Sequence, residues 1–323
     1  MAEKNQKKNV ESQAVLGRSP EIMRLKKVIK NLAHNDSSIF IMGESGAGKE
    51  FTARIIYELS PRKKQALVKI DCTELGKSLD IKDLYGEASE SDPSVARSVG
   101  LLEEANHGVL LLKNIAEMKP EYQEEFLQIL RTKKFRRIGG SDNIDLDVRV
   151  ISTSDHDLKH EIETDKLKKE LFFLLNTYSF YLPPLRERKQ DIPELFTHFL
   201  NRYCEQKGRE IPAVPSEIFD SLLEYEWRGN VGELESTVQN LVMMSPEDLL
   251  TPEALPFRVK KHPYSFLQPT NLKKVMSDIE TYIIKKAMSK VGWNQVKAAK
   301  LLGIPEATLR FKMKKHSISK KSR

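Results

Sequence analysis

Apolar residues recur along this chain in two rhythms, and the change from one to the other divides it. Ile22, Leu25, Val28, Ile29 and Leu32 fall at helical spacing between Pro20 and Ala33. Short continuous apolar runs follow at Ser38–Met42, Ala66–Ile70, Gly108–Leu112 and Val148–Ser152, with helical stretches such as Lys49–Leu59 between them. That alternation predicts a parallel α/β sheet covered on both faces. Pro183, Pro184 and Pro193 break it. Beyond them the pattern is helical only, at Ile192–Glu205, Ser216–Glu224 and Val231–Met244, which predicts a smaller all-helical domain. Pro252, Pro256, Pro263 and Pro269 mark a linker. A last helical segment opens near Asn271, and the residues up to about Gln13 read as a mobile arm. The expected division is an arm over 1–13, an α/β domain over 14–185, helices over 186–250, a linker over 251–270 and a terminal domain over 271–323.

The first strand runs directly into Gly43-Glu44-Ser45-Gly46-Ala47-Gly48-Lys49, and a helix follows. Glycines at such a bend let backbone N–H groups close around phosphate, and the lysine reaches the β/γ oxygens. Gly43 to Glu50 is therefore the candidate nucleotide site, with ATP or ADP as its ligand. A later strand of such a sheet should end in an acidic pair that holds Mg²⁺ and orients water. Here that strand is apolar but ends in Lys113-Asn114. A cation and an amide at this point predict a site that holds nucleotide with weak Mg²⁺ dependence and does not cleave it. The bland alternative is a loop kept only because its glycines allow a tight turn. Asp71, Asp155 and His156, also at strand ends, read more readily as caps or solvated groups than as catalysts.

Length and composition narrow the field. At 323 residues and 39% hydrophobic content, the chain can build two or three cored domains. Its apolar runs are too short to span a membrane, and its start lacks a signal-peptide core, so the expected location is the cytoplasm. Cys72 and Cys204 form no C-x-x-C pair, which argues against a disulfide framework or zinc site. No metal ligand set is expected. The net charge of +7 is unevenly spread: Asn271–Arg323 holds fourteen Lys/Arg against three Asp/Glu. A polyanion-binding domain at the C-terminal end is the direct implication.

That segment also has helical order. Leu272, Val275, Met276, Ile279, Tyr282, Ile283 and Ala287 make an apolar stripe on a long helix. Gly292-Trp293 ends it, and Asn294 is a good N-cap for Gln295–Leu302. Gly303 turns the chain, and Pro305 stands at the first position of a helix reaching Lys315. Leu301, Leu302, Ile304, Leu309 and Met313 are the expected core. Glu306, Thr308, Arg310, Lys312, Lys314 and Lys315 are the expected DNA-facing set. The N-terminal half of such a helix meets base edges, and its lysines meet phosphates.

Taken together these stretches carry a resemblance. Val15-Leu16-Gly17-Arg18-Ser19-Pro20, the glycine loop, Val148–Ile151, Leu182-Pro183-Pro184-Leu185-Arg186-Glu187-Arg188, Asp191-Ile192-Pro193 and Trp227-Arg228-Gly229-Asn230-Val231 with Glu233-Leu234-Glu235 resemble the AAA+ part of bacterial sigma-54-dependent transcriptional activators. Asn294–Lys315 is similar to the Fis-type helix-turn-helix that ends those proteins. The resemblance runs from about Val15 to Ile318. It implies a P-loop parallel sheet, a helical lid and a DNA-binding helix-turn-helix, with double-stranded DNA as partner. The apolar stripe on the long helix predicts a dimer through the C-terminal domain, and the AAA+ resemblance allows a ring. The departures are specific. The family's acidic pair is Lys113-Asn114, and its inter-subunit arginines fall on Lys168 and Leu174. Its sensor arginine falls on Gly232, and its two asparagines on Asp71 and Asp155. The sigma-54 contact loop has no counterpart in Leu84–Ala96, which makes sigma-54 contact doubtful. Arg186, Glu187 and Arg188 read as lid-positioning ion pairs. No catalytic residue is assigned. Three readings follow: a regulator with a nucleotide-holding AAA+ domain, a working activator ATPase, and a subunit that modulates the ring of a functional paralogue.

Overall fold

The structure is a computed structural model that describes residues 17–89, 96–155, 158–260, 272–316 and 318. The N-terminal arm, Val15 and Leu16 of the leader, Glu90–Val95 of the expected contact-loop region, His156, and residues 261–270 of the expected linker lie outside them. Two compact units divide the chain, Met1–Val259 and Lys260–Arg323.

In the first unit a five-stranded sheet runs in the order β2-β5-β8-β1-β9. Its strands are β1 (Ile39–Met42), β2 (Leu67–Asp71), β5 (Val109–Lys113), β8 (Arg149–Ser154) and β9 (Tyr178–Tyr181), all parallel. Two small antiparallel pairs lie outside it: β3 (Gly86–Ala88) with β4 (Ala96–Val99), and β6 (Lys134–Phe135) with β7 (Ile144–Asp145). The helices are α1 (Pro20–Ala33), α2 (Lys49–Leu59), α3 (Ile81–Tyr85), α4 (Leu101–Glu104), α5 (Pro120–Thr132), α6 (Leu158–Glu163) and α7 (Lys169–Leu175).

The apolar runs are continuous because both faces of the sheet are buried. Successive side chains alternate between faces. Phe40, Leu110 and Leu112 enter the core cluster that includes Phe126 and Leu171. Ile39, Ile41, Val109 and Leu111 enter the one that includes Ile22, Ile29 and Ile56. The sequence pattern reveals four of these strands and misses β9. That strand is an edge paired only with β1. Tyr178 and Tyr181 stay exposed, so no continuous apolar run marks it.

The lid follows as α8 (Ile192–Gln206), α9 (Ser216–Glu224) and α10 (Asn230–Met244). Its core closes around the fully buried Trp227, whose Nε1–H donates to the Leu222 carbonyl at 2.7 Å. A clasp ties the lid to the start of the described chain. The buried Asp191 carboxylate accepts from the Arg18 and Ser19 N–H groups at 2.6 and 2.7 Å and from Ser19 Oγ at 2.7 Å. Gly17, at φ +137°, lets this approach happen: a Cβ there would lie 2.6 Å from the Asp191 carboxylate.

The second unit contains α11 (Leu272–Lys290), α12 (Gln295–Leu302) and α13 (Glu306–Lys315). Ile284, Met288, Ala298, Ala299, Leu309 and Met313 form its core. Two expectations are corrected here. Leu301 is 51% exposed, because Ala298, Ala299 and Leu302 define the inward stripe of α12. Among the described side chains of α11, Ile284, Ala287 and Met288 are buried, and Ile283 of the expected stripe is exposed. The side chains of Leu272, Val275, Met276 and Ile279 lie outside the description. Pro305 is the N-cap of α13 and not its first helical residue, whereas Asn294 caps α12 as expected, accepting from Lys297 N–H. Among the described residues, no helix is long and apolar enough to cross a membrane.

Candidate functional site

The glycine loop joins the end of β1 to α2. Gly43, Gly46 and Gly48 take φ values of +154°, +73° and +105°, which L side chains rarely adopt. Gly48 is the N-cap of α2 and no side chain caps that helix, so its first-turn N–H groups are left for a ligand. Lys49 is nearly buried, with Nζ donating to the Gly43 and Glu44 carbonyls at 2.9 Å each. Burial pushes its pKa down, while the Asp155 and Glu44 carboxylates pull it back up.

The lid closes directly on this loop. Asn230 is fully buried at φ +55°. Its Nδ2 donates to the Ser45 carbonyl at 2.9 Å, and its Oδ1 accepts from Leu185 N–H at 2.8 Å. Gly232 N–H donates to the Gly46 carbonyl at 3.2 Å. At Gly46 a Cβ would lie 2.3 Å from the Gly229 carbonyl oxygen, so only glycine fits. Arg186 makes a two-pronged ion pair with Glu44, and the buried Arg188 donates to the Ala47 carbonyl at 2.9 Å. Arg186 thus joins lid to loop by an ion pair, as expected, whereas Arg188 does so by a hydrogen bond to a carbonyl. The Arg186 hydrogen bonds hold the Glu44 carboxyl down at about 2, with burial opposing and Asn230 assisting.

Between loop and lid lies a cavity of about 430 Å³. Ser45–Thr52, Lys113, Asn114 and Asp155 line one side, and Leu195, His198, Phe199, Arg202, Gly232 and Glu235 line the other. Leu195, His198, Phe199 and Arg202 share one face of α8 at the i, i+3, i+4, i+7 spacing. Sequence reasoning leaves these four and Asn230 without a role. Their helical spacing and the Gly229-Asn230-Val231 stretch are the signals that mark them.

At the end of β5 the unexpected cation is well matched. Lys113 Nζ lies 3.2 Å from both Glu50 and Asp71 carboxylates. Asn114, in the left-handed region at φ +54°, donates Nδ2 to Asp71 at 3.0 Å. Lys69 takes the other Glu50 oxygen at 2.6 Å. Burial works against the Lys113 charge, but Asp71 and Glu50 raise its pKa overall. Glu50 is lowered, chiefly by its hydrogen bond to Lys69. Asp71 is lowered by Thr73, Asn114 and Lys113 against the opposing effect of burial. Asp71 is thus a network member and not merely a solvated cap.

The arrangement fits a phosphate chain: glycine backbone, uncapped helix start, and a lysine held by carbonyls it can leave. It does not fit a divalent cation at the strand end, because Glu50 and Asp71 already neutralise lysines. The other departures sit in ordinary contacts. Lys168 pairs with Glu124, and Leu174 packs against the main core. Gly232 has room for a side chain, since a Cβ would meet only Gly46 Cα at 3.7 Å.

In the second unit, Leu309 and Met313 anchor α13. Of the expected DNA-facing set, Arg310, Lys314 and Lys315 are exposed, and Arg310 pairs with Glu306 one turn back at 2.6 Å. Glu280 of α11 holds Lys312, stands 3.9 Å from Lys315 and hydrogen-bonds His316 at 2.6 Å. Lys312 is therefore drawn back toward its own unit. Thr308 is half-buried. Phe311, which the sequence reading passes over, is 69% exposed.

Comparison with known proteins accords with this organisation. Residues 15–181 match the sigma-54 interaction domain family, residues 186–269 the AAA+ ATPase lid domain, and residues 275–316 the bacterial regulatory protein, Fis family. The chain is 35% identical over 306 residues to a signal-transduction and transcriptional-control protein of Clostridium beijerinckii, covering 94% of this chain and 48% of that protein. It is 31% identical to the transcriptional regulatory protein ZraR of Escherichia coli (strain K12), covering 93% and 68%. To the Nif-specific regulatory protein of Azotobacter vinelandii it is 32% identical, covering 93% and 58%. The chain thus spans about half to two thirds of the length of these relatives. Among solved structures, NtrX from Brucella abortus in complex with ADP superposes with a TM-score of 0.70 at 28% identity, covering 95% of this chain and 69% of that one. Its complex with ATP gives 0.69 at 28% identity, covering 94% and 69%.

Proposed function

The chain belongs to the sigma-54 interaction domain family, and from that premise we propose that it is a bacterial DNA-binding transcription regulator whose AAA+ domain holds ATP or ADP without useful hydrolysis. The nucleotide-binding set is Gly43 to Glu50, and the DNA-contacting set is drawn from α13. The observation that carries the hydrolysis part is Lys113, seated between Glu50 and Asp71. In this fold the bound nucleotide supplies phosphate charge to the loop. Lys49 and the first-turn N–H groups of α2 accept that charge, and Lys113 adds a fixed cation on the same side of the cavity. Neither Lys113 nor Asn114 can take a proton from an attacking water at neutral pH. Leu174 and Gly232 supply no cation, and loss of one such arginine lowers phosphoryl-transfer rates on the order of 10³–10⁵. These losses act on one constellation and do not simply add.

Purified protein should show no ATP turnover above a Lys49→Ala control. Calorimetry should give the same ATP and ADP affinities with EDTA as with Mg²⁺. Lys113→Asp should introduce Mg²⁺ dependence, because three carboxylates would then face the phosphates. Turnover that Lys49→Ala abolishes would restore the working-ATPase reading. Absence of heat or thermal shift at millimolar nucleotide would reduce the loop to a turn.

A further inference from the structure

The outward face of α13 is not the polar surface that the expected DNA-facing set describes. Leu309 and Met313 are buried and fix which side of the helix faces the core. At about 100° per residue, the direction opposite the midpoint of those two is that of Phe311. The ring stands 69% exposed at the centre of the free face. Ala307, Arg310, Lys314 and Lys315 around it are also exposed. No ring stacking or cation–π contact involves Phe311 among the described residues.

Two of the cations beside it already pair within the unit. Lys312 is held by Glu280, and Arg310 is oriented by Glu306. A large apolar side chain framed by cations matches a polyanion that also offers apolar atoms. In the major groove of duplex DNA those atoms are the thymine 5-methyl groups, which protein apolar side chains contact directly.

We propose that Phe311 is a specificity-determining residue that packs on thymine methyl groups in the major groove, so that the preferred half-site contains thymine at the position facing the middle of α13. This rests on the DNA-binding reading above. The lysines then set how tightly any sequence is held, while Phe311 and Arg310 set which one. A protein partner docking on the same ring would give no dependence on base methylation, and the test separates the two.

The full chain is used to select duplexes from a random library, and the selected site is then resynthesised with uracil in place of each thymine in turn. Uracil pairs as thymine does and lacks only the methyl. One position should weaken wild-type binding about fourfold on losing its methyl. Phe311→Ala should bind the thymine and uracil duplexes equally, and Phe311→Leu should keep part of the preference. Lys314→Ala should weaken both duplexes alike and leave their ratio unchanged. Because Phe311 is 69% exposed, circular dichroism melting of Phe311→Ala should match wild type. A uracil effect that survives Phe311→Ala, or no uracil effect in the wild type, overturns this proposal and leaves the regulator reading intact. Failure to select any sequence overturns both.

Discussion

Glu44 does two tasks with one side chain. Its carbonyl holds Lys49, and its carboxylate holds the lid through Arg186 and Asn230. The carboxyl is held near 2 against an ordinary 4.5. A depressed carboxyl contributes stability that is full above the ordinary value and lost as pH falls through the folded one. The melting-temperature gap between wild type and Glu44→Gln should therefore be widest above about pH 5 and close toward about pH 2. A gap that is constant with pH would mean that the ion pair contributes nothing. Lys113 was legible in the sequence as a misplaced cation, because its strand is unmistakable. Its partners were not, since only the folded register of β2 beside β5 brings Asp71 to it. Asn230 was visible within a motif, but its reach to Ser45 depends on a left-handed backbone that no local pattern announces.

At the scale of elements, long apolar runs gave β1, β2, β5 and β8, and proline gave the passage into the lid. β9 was missed because an exposed edge strand has no such run. β3 and β4 pair antiparallel, with Ala96 opposite Ala88. We propose that the Leu84–Ala96 stretch does not serve as a sigma-54 contact loop, so a pull-down of sigma-54 should be negative under conditions where a functional relative is positive. Capture that depends on Glu87 to Val95 would overturn this. On α13, Arg310→Ala and Thr308→Ala should relax sequence preference. Lys314→Ala and Lys315→Ala should weaken all sequences alike, with Lys315 the smaller effect because Glu280 already draws on its charge. Sequence reasoning found the basic helix but not Glu280, which lies two helices earlier.

For the whole molecule, the charge asymmetry sets the expected salt response. Binding to duplex DNA should fall with salt at a log–log slope of roughly −0.9 for each phosphate contact. Removing residues 271–323 should abolish both the binding and the slope; residual steep binding would place the contacts on the first unit. The clasp between Gly17–Ser19 and Asp191 has a further consequence, in the order of synthesis. Asp191 is 172 residues beyond Ser19. At ordinary elongation rates it leaves the ribosome on the order of ten to thirty seconds later. Until then the cap of α1 is incomplete. β1 waits as well, because its two neighbours, β8 and β9, also come late in the chain. The phosphate loop is therefore translated well before the strands and lid that shape it, and a chain released before the lid emerges carries its glycine loop with nothing to close on it.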